Sequence, residues 1–448
     1  MLRDLGEGLV MRRGRQDDTE AVAALSADCL RFQDMAEPHP GFAAVMRDLM
    51  GGRHPTFRPE DALIVEDAKG NVVSGAMFLT QKLMFRDTPI VAGQPEFIST
   101  LPAYRGRGFV RTMIETFHGW SAERGHAMQF ISGIPWFYRQ FGYEMAIERG
   151  GGPMVAIDRM PSDASGAYRT RPMTVEDAAF AAALDAHAAR RYLVTVPRDE
   201  ALWRYELGGH SEGSIARTEW CVVENADGTP VAAASYLPRV DGGALSVMSL
   251  EVVAGVPWRS VVAALVPYLR ARGEELTARD GKTPLNALGF WWLGREHPLY
   301  RAIHLTDFRR PEAVYVRVPD LARFLGVIAP ALEARLAESP MTGYSGTLII
   351  SLYRHGVAMA FDKGVLTRVE PWRPTLTTIG QEMGRGSADR RRPDALFPEL
   401  TFFQLLFGFR TFVQLEATFP DCIVRTGEGR ALLDALFPRQ ASDVWPVI

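Results

Sequence analysis

Three arginines and two glycines fall within seven residues, Arg105, Gly106, Arg107, Gly108, Phe109, Val110 and Arg111. Residues 97–101 (Phe-Ile-Ser-Thr-Leu) read as a strand, 102–108 as a turn, and 109–123 carry helical periodicity. A strand, a glycine-bearing turn and a helix in that order present backbone N–H groups and the positive end of the helix dipole to an anion. Gly106 and Gly108 leave room for close approach of the backbone. Arg105, Arg107 and Arg111 add cations suited to closely spaced phosphates. The chemistry expected here is the holding of a phosphorylated carrier.

The elements that position this loop recur in the chain. The run Arg-Arg-Gly-Arg-Gln-Asp-Asp-Thr-Glu-Ala from Arg12 matches the run Arg-Pro-Met-Thr-Val-Glu-Asp-Ala-Ala-Phe from Arg171 at an offset of 159. An acidic pair, Asp17 and Asp18 or Glu176 and Asp177, opens an alanine-rich helix in each. Acids at that place complement the helix dipole. A second match sets Ile64-Val65-Glu66-Asp67-Ala68-Lys69-Gly70 against Val222-Val223-Glu224-Asn225-Ala226-Asp227-Gly228, at an offset of 158. Each reads as a strand, a turn and a second strand. Two features in order at nearly one offset predict two copies of one fold.

The second copy reads Val253-Ala254-Gly255-Val256-Pro257-Trp258-Arg259-Ser260 where the first has its glycine loop. It has no Gly-x-Gly, and Trp258 stands where a backbone should approach phosphate, so no cofactor is expected there. Joints are expected at 159–166 and 318–320. Beyond them, 321–336 reads as an amphipathic helix, 346–353 and 357–361 as paired strands, 385–393 as an arginine-rich loop and 400–412 as a very apolar helix. The expected domains are 1–160, 165–317 and 318–448.

The formal net charge of -3 gives the chain no overall attraction for nucleic acid or an anionic membrane. Cys29, Cys221 and Cys422 are too few and too scattered for a zinc site or a disulfide framework. With no signal-like start and no run of 18 apolar residues, a cytoplasmic protein outside the membrane is expected.

The loop resembles motif A of the GNAT acetyltransferase superfamily, Gln/Arg-x-x-Gly-x-Gly/Ala, with Val110 where Gly or Ala is usual. Residues 131–144, Ile-Ser-Gly-Ile-Pro-Trp-Phe-Tyr-Arg-Gln-Phe-Gly-Tyr-Glu, look like that family's last strand, helix and final strand. The resemblance implies acetyl-coenzyme A as co-substrate. Its main-chain contacts would come from Ile98, Ser99 and Thr100, its phosphate contacts from 105–111, and further contacts from Gly133 and Ile134. It also implies that Tyr138 is the general acid for the departing thiol, while Tyr143 reads as structural. A main-chain N–H near 98–100 would stabilise the oxyanion.

Two tandem folds of this kind, the first active and the second degenerate, with a smaller α+β domain behind them, resemble the enhanced intracellular survival (Eis) family. That resemblance covers essentially the whole chain. It implies an α/β (α+β) architecture whose third domain is sterol-carrier-protein-like, and a homo-oligomer, as a hexamer. It also implies a base formed by the terminal carboxylate, here that of Ile448. Acidic residues would line the amine cleft, and Asp34 and Glu37 lie in the right region. The expected reaction is direct acetyl transfer to a primary amine of a small molecule or lysine side chain, without a metal. Two other readings stay open: a non-enzymatic protein that binds acyl-coenzyme A or lipid, and a scaffold with both acetyltransferase folds inactive.

Overall fold

The computed structural model describes residues 2–30, 37–161, 166–281, 283–374 and 392–445. The first stretch supplies β1 (Arg3–Gly6), β2 (Leu9–Arg13), α1 (Thr19–Cys29), α2 (Pro40–Met50), β3 (Ala62–Glu66), β4 (Val72–Phe85), β5 (Thr88–Thr100), α3 (Phe109–Glu123), β6 (Met128–Ile131) and β7 (Glu144–Arg149). The next supplies β8 (Met154–Ala156), β9 (Tyr168–Pro172), α4 (Ala178–Ala189), β10 (Val194–Thr195), α5 (Glu200–Gly208), β11 (Glu219–Asn225), β12 (Pro230–Asp241), β13 (Ala244–Val252), α6 (Trp258–Asp280), β14 (Ala287–Gly289), α7 (Pro298–Ala302) and β15 (Glu312–Arg317). The last holds α8 (Leu321–Val327), α9 (Ala329–Ala337), β16 (Gly346–Ser351), β17 (Gly356–Asp362), β18 (Val365–Trp372), β19 (Ala395–Leu396), α10 (Thr401–Leu406), α11 (Phe412–Thr418), β20 (Ile423–Val424) and α12 (Gly427–Leu436).

The strands form three mixed sheets of nine, six and five strands. The first runs β1-β2-β3-β4-β5-β6-β15-β7, with β10 beside β4. The second runs β8-β14-β13-β12-β11-β9 and the third β18-β17-β16-β19-β20. The repeat is visible side chain by side chain. Arg12 bridges Asp18 and Glu66 in the first copy, and Arg171 bridges Asp177 and Glu224 in the second. Asp18 accepts from the Arg15 N–H and Asp177 from the Thr174 N–H, so the acid of each pair also caps its helix. At the matched turns, Asp67 accepts from the N–H groups of Lys69 and Asn71, and Asn225 from those of Asp227 and Thr229.

The strands cross the joints expected from sequence. Met154–Ala156, from before the first joint, pairs with β14 in the second sheet, and Glu312–Arg317 lies between β6 and β7 in the first. Each of the first two sheets thus borrows a strand from the other part of the chain.

Two helices end earlier than their apolar pattern predicts. The helix expected over 321–336 breaks at Ile328, just ahead of Pro330, whose missing N–H and bulky ring end α8. The helix expected over 400–412 stops at Leu406, because Gly408 turns left-handed (φ 65°) and its backbone lies against that of Gln440. The loop expected at 385–393 falls mostly outside the described residues. Among the described residues, no helix is long and apolar enough to cross a membrane.

Candidate functional site

The helix α3 buries Phe109, Met113, Ile114, Phe117 and Trp120 on one face. Phe117 stacks on Phe78 of β4, ring centres 4.8 Å apart. Burial of each such ring contributes about 1.5–3 kcal/mol, which anchors the helix to the sheet. The first turn of α3 is therefore held rigidly at the end of the loop. Gly106 and Gly108 both have left-handed φ, 77° and 81°. A Cβ at either would meet nothing within 4 Å. Glycine is required here by backbone conformation, and the space before the loop is open.

Val110 is half-buried against the core beneath α3. Packing against that core uses the extra bulk over Gly or Ala. The arginines already have partners. Arg107 Nη1 donates to Glu7 Oε2 at 2.8 Å, Arg105 Nε to the Thr100 carbonyl at 3.2 Å, and Arg111 Nη2 to Gln140 Oε1 at 2.9 Å.

Strand β5 pairs with β4 along its length, but with β6 only at Ala92–Met128 and Gly93–Gln129. Beyond Gly93 the two parallel strands diverge and leave a cleft leading to the loop. Within it β5 bulges, since Ala76 of β4 opposes both Phe97 and Ile98, and Phe97 has φ 51°. Ile98 sits in this bulge. The Ser99 carbonyl accepts from Ser74 Oγ at 2.8 Å, and Ser74 Oγ also contacts Thr100 Oγ1 at 2.8 Å.

Across the cleft, Tyr138 is buried at 6% exposure among Phe137, Tyr143 and Tyr315. A Cβ on Gly133 would fall 2.3 Å from the Tyr138 ring, so Gly133 makes room for this tyrosine. Burial, with the nearby charge of Glu96 behind it, pushes the Tyr138 phenol well above its usual range. It stays protonated at neutral pH. Tyr143 lies wholly in the core, donating to Gln129, as its structural reading requires. Ile134 is exposed at the rim, and its carbonyl accepts from the Tyr315 hydroxyl at 3.3 Å.

Two residues in this cleft carry no assignment from the sequence. Glu96 lies one residue before the bulge and accepts from Gln94 Nε2 at 3.0 Å and Ser132 Oγ at 3.2 Å. Its side chain is half-buried by surface but enclosed by protein atoms, and that desolvation raises its carboxyl above the usual range against the pull of those bonds and of Arg149. A carboxylate within the strand that leads into the loop was the available signal. Tyr315 comes from the borrowed strand β15, about 180 residues away in sequence, and nothing local points to it.

Ile448 and Asp34 lie outside the described residues, and Glu37 is exposed. The tail is described to Trp445. Its ring meets Trp292 edge-on, and Arg149, the cation acting on Glu96, lies over Trp292. In the second copy only residues 253–257 separate β13 from α6, against 101–108 in the first, and Trp258 packs against His297.

Residues 10–146 match the family described as acetyltransferase (GNAT) domain. Solved structures align with nearly the whole chain at low identity. A GCN5-related N-acetyltransferase from Anabaena variabilis shares 13% identity with 98% of each chain covered and a TM-score of 0.64. A probable N-acyltransferase from Enterococcus faecalis V583 shares 12%, with 97% of each covered and a TM-score of 0.63. Eis1 from Mycobacterium abscessus shares 16%, covering 97% of this chain and 98% of its own, with a TM-score of 0.58. At these identities the likeness shows a common fold. No curated protein matches the chain by sequence.

Proposed function

Residues 10–146 are a GNAT acetyltransferase domain, and from that premise we propose that the chain transfers an acetyl group from acetyl-coenzyme A to a primary amine of a small molecule or lysine side chain. The observation that carries this reading is the cleft: β5 leaves β6 after Gly93, and its bare edge leads to the left-handed Gly106–Gly108 turn, with Glu96 on one wall and Tyr138 on the other.

The residues present fit the co-substrate. The open turn, the start of α3 and Arg105, Arg107 and Arg111 would hold the phosphates. The strand at Ile98, Ser99 and Thr100, with Gly133 and Ile134 opposite, would line the pantetheine. Acetyl-coenzyme A supplies the activated acetyl group. Glu96, with its carboxyl held above the usual range, is the side chain suited to take the proton of an incoming ammonium. Tyr138 holds its proton at Oη and donates it to the leaving sulfur. The Ile448 carboxylate, given the role of base by the Eis resemblance, is the competing assignment, and the placement of Trp445 beside Trp292 and Arg149 keeps it in play.

The second copy would bind no coenzyme A, because its shorter connection lacks the glycine pair and Trp258 packs where the turn would be. The residues of α10, Thr401–Leu406, are all buried, so their apolar character is used in packing, which favours an enzyme over a lipid carrier. A cytoplasmic location and a homohexamer belong to this reading as well. Release of free thiol from acetyl-coenzyme A across a panel of amines tests it. No amine-dependent thiol release, despite saturable coenzyme A binding, would leave a binding protein instead.

A further inference from the structure

No hydrogen bond from a described residue holds the Tyr138 hydroxyl. Its aim is therefore set by the backbone that carries it and by the rings around it. Tyr138 lies in a single turn of helix, Phe137–Phe141. The far end of that turn is pinned. Arg139 donates to Glu144 through Nε at 3.0 Å and through Nη2 at 2.6 Å, and Gln140 Oε1 accepts from Arg111 at 2.9 Å.

The near end is entered through 134–136, and there the backbone is unfavourable. Trp136 has φ 70° and ψ -29°, in the left-handed region that a bulky aromatic residue rarely occupies. Packing of its side chain does not account for this, because Trp136 is 70% exposed. Conformations of this kind persist where the surroundings over-determine them.

Tyr315 supplies that constraint. It is fully buried on β15, in register with Ile131 of β6 and Met145 of β7, the strands that flank the turn. Its hydroxyl donates to the Ile134 carbonyl at 3.3 Å, and the Trp136 backbone is a second hydrogen-bond partner of the same hydroxyl. The Ile134 carbonyl also accepts from the Phe137 N–H at 3.3 Å, the bond that starts the turn. The Tyr315 ring meets the Tyr138 ring edge-on, centres 5.6 Å apart. One side chain thus touches both the entry to the turn and the ring that the turn carries. We infer, on the reading of Tyr138 as the acid, that Tyr315 is a positioning residue: it clamps the 134–136 backbone and so aims the Tyr138 hydroxyl at the leaving sulfur. The acid of the first copy then depends on a strand that follows the second.

Steady-state kinetics on the full chain, with acetyl-coenzyme A and the amine that releases most thiol, tests this. Tyr315→Phe keeps the ring and removes only the hydroxyl. It should lower kcat by about ten- to hundredfold, with KM for acetyl-coenzyme A within about twofold of the parent's. In a Tyr138→Phe chain the same change should alter kcat by less than about twofold, because the group being aimed is gone. A residue that only supports the fold would cost as much in both chains. Glycine takes the φ of Trp136 unaided, so in a Trp136→Gly chain Tyr315→Phe should cost less than about threefold in kcat. That pair keeps the test decisive if Tyr315→Phe alone folds poorly, and near-ultraviolet dichroism like the parent's qualifies each variant. The assignment fails if Tyr138→Phe lowers kcat and Tyr315→Phe does not. It also fails if Tyr315→Phe costs the same in the parent, Tyr138→Phe and Trp136→Gly chains. If Tyr138→Phe itself turns over at the parent's rate, the acid reading falls, and the role of Tyr315 falls with it.

Discussion

Arg107, proposed to hold a phosphate of the co-substrate, already has an anion beside it. Glu7 holds it at 2.8 Å, and both side chains are well exposed, at 43% and 78%. Exposed pairs of this kind contribute roughly 0–1 kcal/mol, so a phosphate can displace Glu7 at little cost. Arg107→Glu should weaken coenzyme A binding by more than about tenfold, and Glu7→Gln should tighten it by up to about fivefold, the equivalent of that surface pair. Calorimetry checks both, and opposite signs for the two variants are the decisive result. The same scale separates the two candidate bases. If Glu96 is the base, Glu96→Gln should lower kcat/KM by about 10²–10⁴. In the parent, activity should fall as pH drops through the raised Glu96 pKa, and that limb should vanish in the variant. Tyr138→Phe should lower kcat with coenzyme A affinity unchanged. If Glu96→Gln turns over normally while amidation of the chain terminus does not, Ile448 is the base. The loop was legible in sequence because strand, turn and helix are contiguous and the glycines encode their own φ. Glu96 was not, because its neighbours Ser132 and Tyr138 come from elements distant in the sequence.

At the level of elements, the first sheet is completed by β15, and the second by β8. The internal repeat was readable because its copies keep the same Arg–Asp–Glu bridge and the same Asx turn at nearly one offset. The exchange of strands was not readable. β8 and β15 are short runs of three and six residues whose patterns suit either sheet, and only the three-dimensional closure decides which edge takes them. This has a consequence for dissection of the chain. Residues 1–160 made alone would lack β15, leave facing edges of β6 and β7 unpaired and remove Tyr315 from beside Tyr138. Unpaired edges invite aggregation. We expect that fragment to show no sharp thermal transition and no near-ultraviolet dichroism typical of packed aromatics, and the same fragment with residues 312–317 joined by a flexible linker to regain both. A cooperative, soluble 1–160 would mean that β6 and β7 pair directly without β15.

Across the whole molecule, enclosed charge is gathered where the second sheet, α4 and the tail meet, around Asp185, Glu251 and Asp443. Asp185 is pushed up to about 6, first by burial and then by Asp443 and Glu251, while Arg198 works against the shift. The sign of the stability effect follows from comparing states. In the unfolded chain this carboxyl titrates near its ordinary value of about 3.9. Between about pH 4 and 6 the unfolded chain has released a proton that the folded chain keeps, so this group's contribution to stability falls as pH rises through that window. Above pH 6 the charged, enclosed carboxylate costs the fold an amount whose ceiling is about 3 kcal/mol, from two pKa units at about 1.4 kcal/mol each. Asp185→Asn removes the ionisation while keeping the shape. Its melting temperature should exceed the parent's at pH 7–8, and the two should converge near pH 4. Asp443 is also raised by burial and is retained in the variant, so part of the slope should persist. Melting curves that stay parallel from pH 4 to 8 would show that Asp185 is adequately compensated by Arg198 alone and that the cluster carries no net cost.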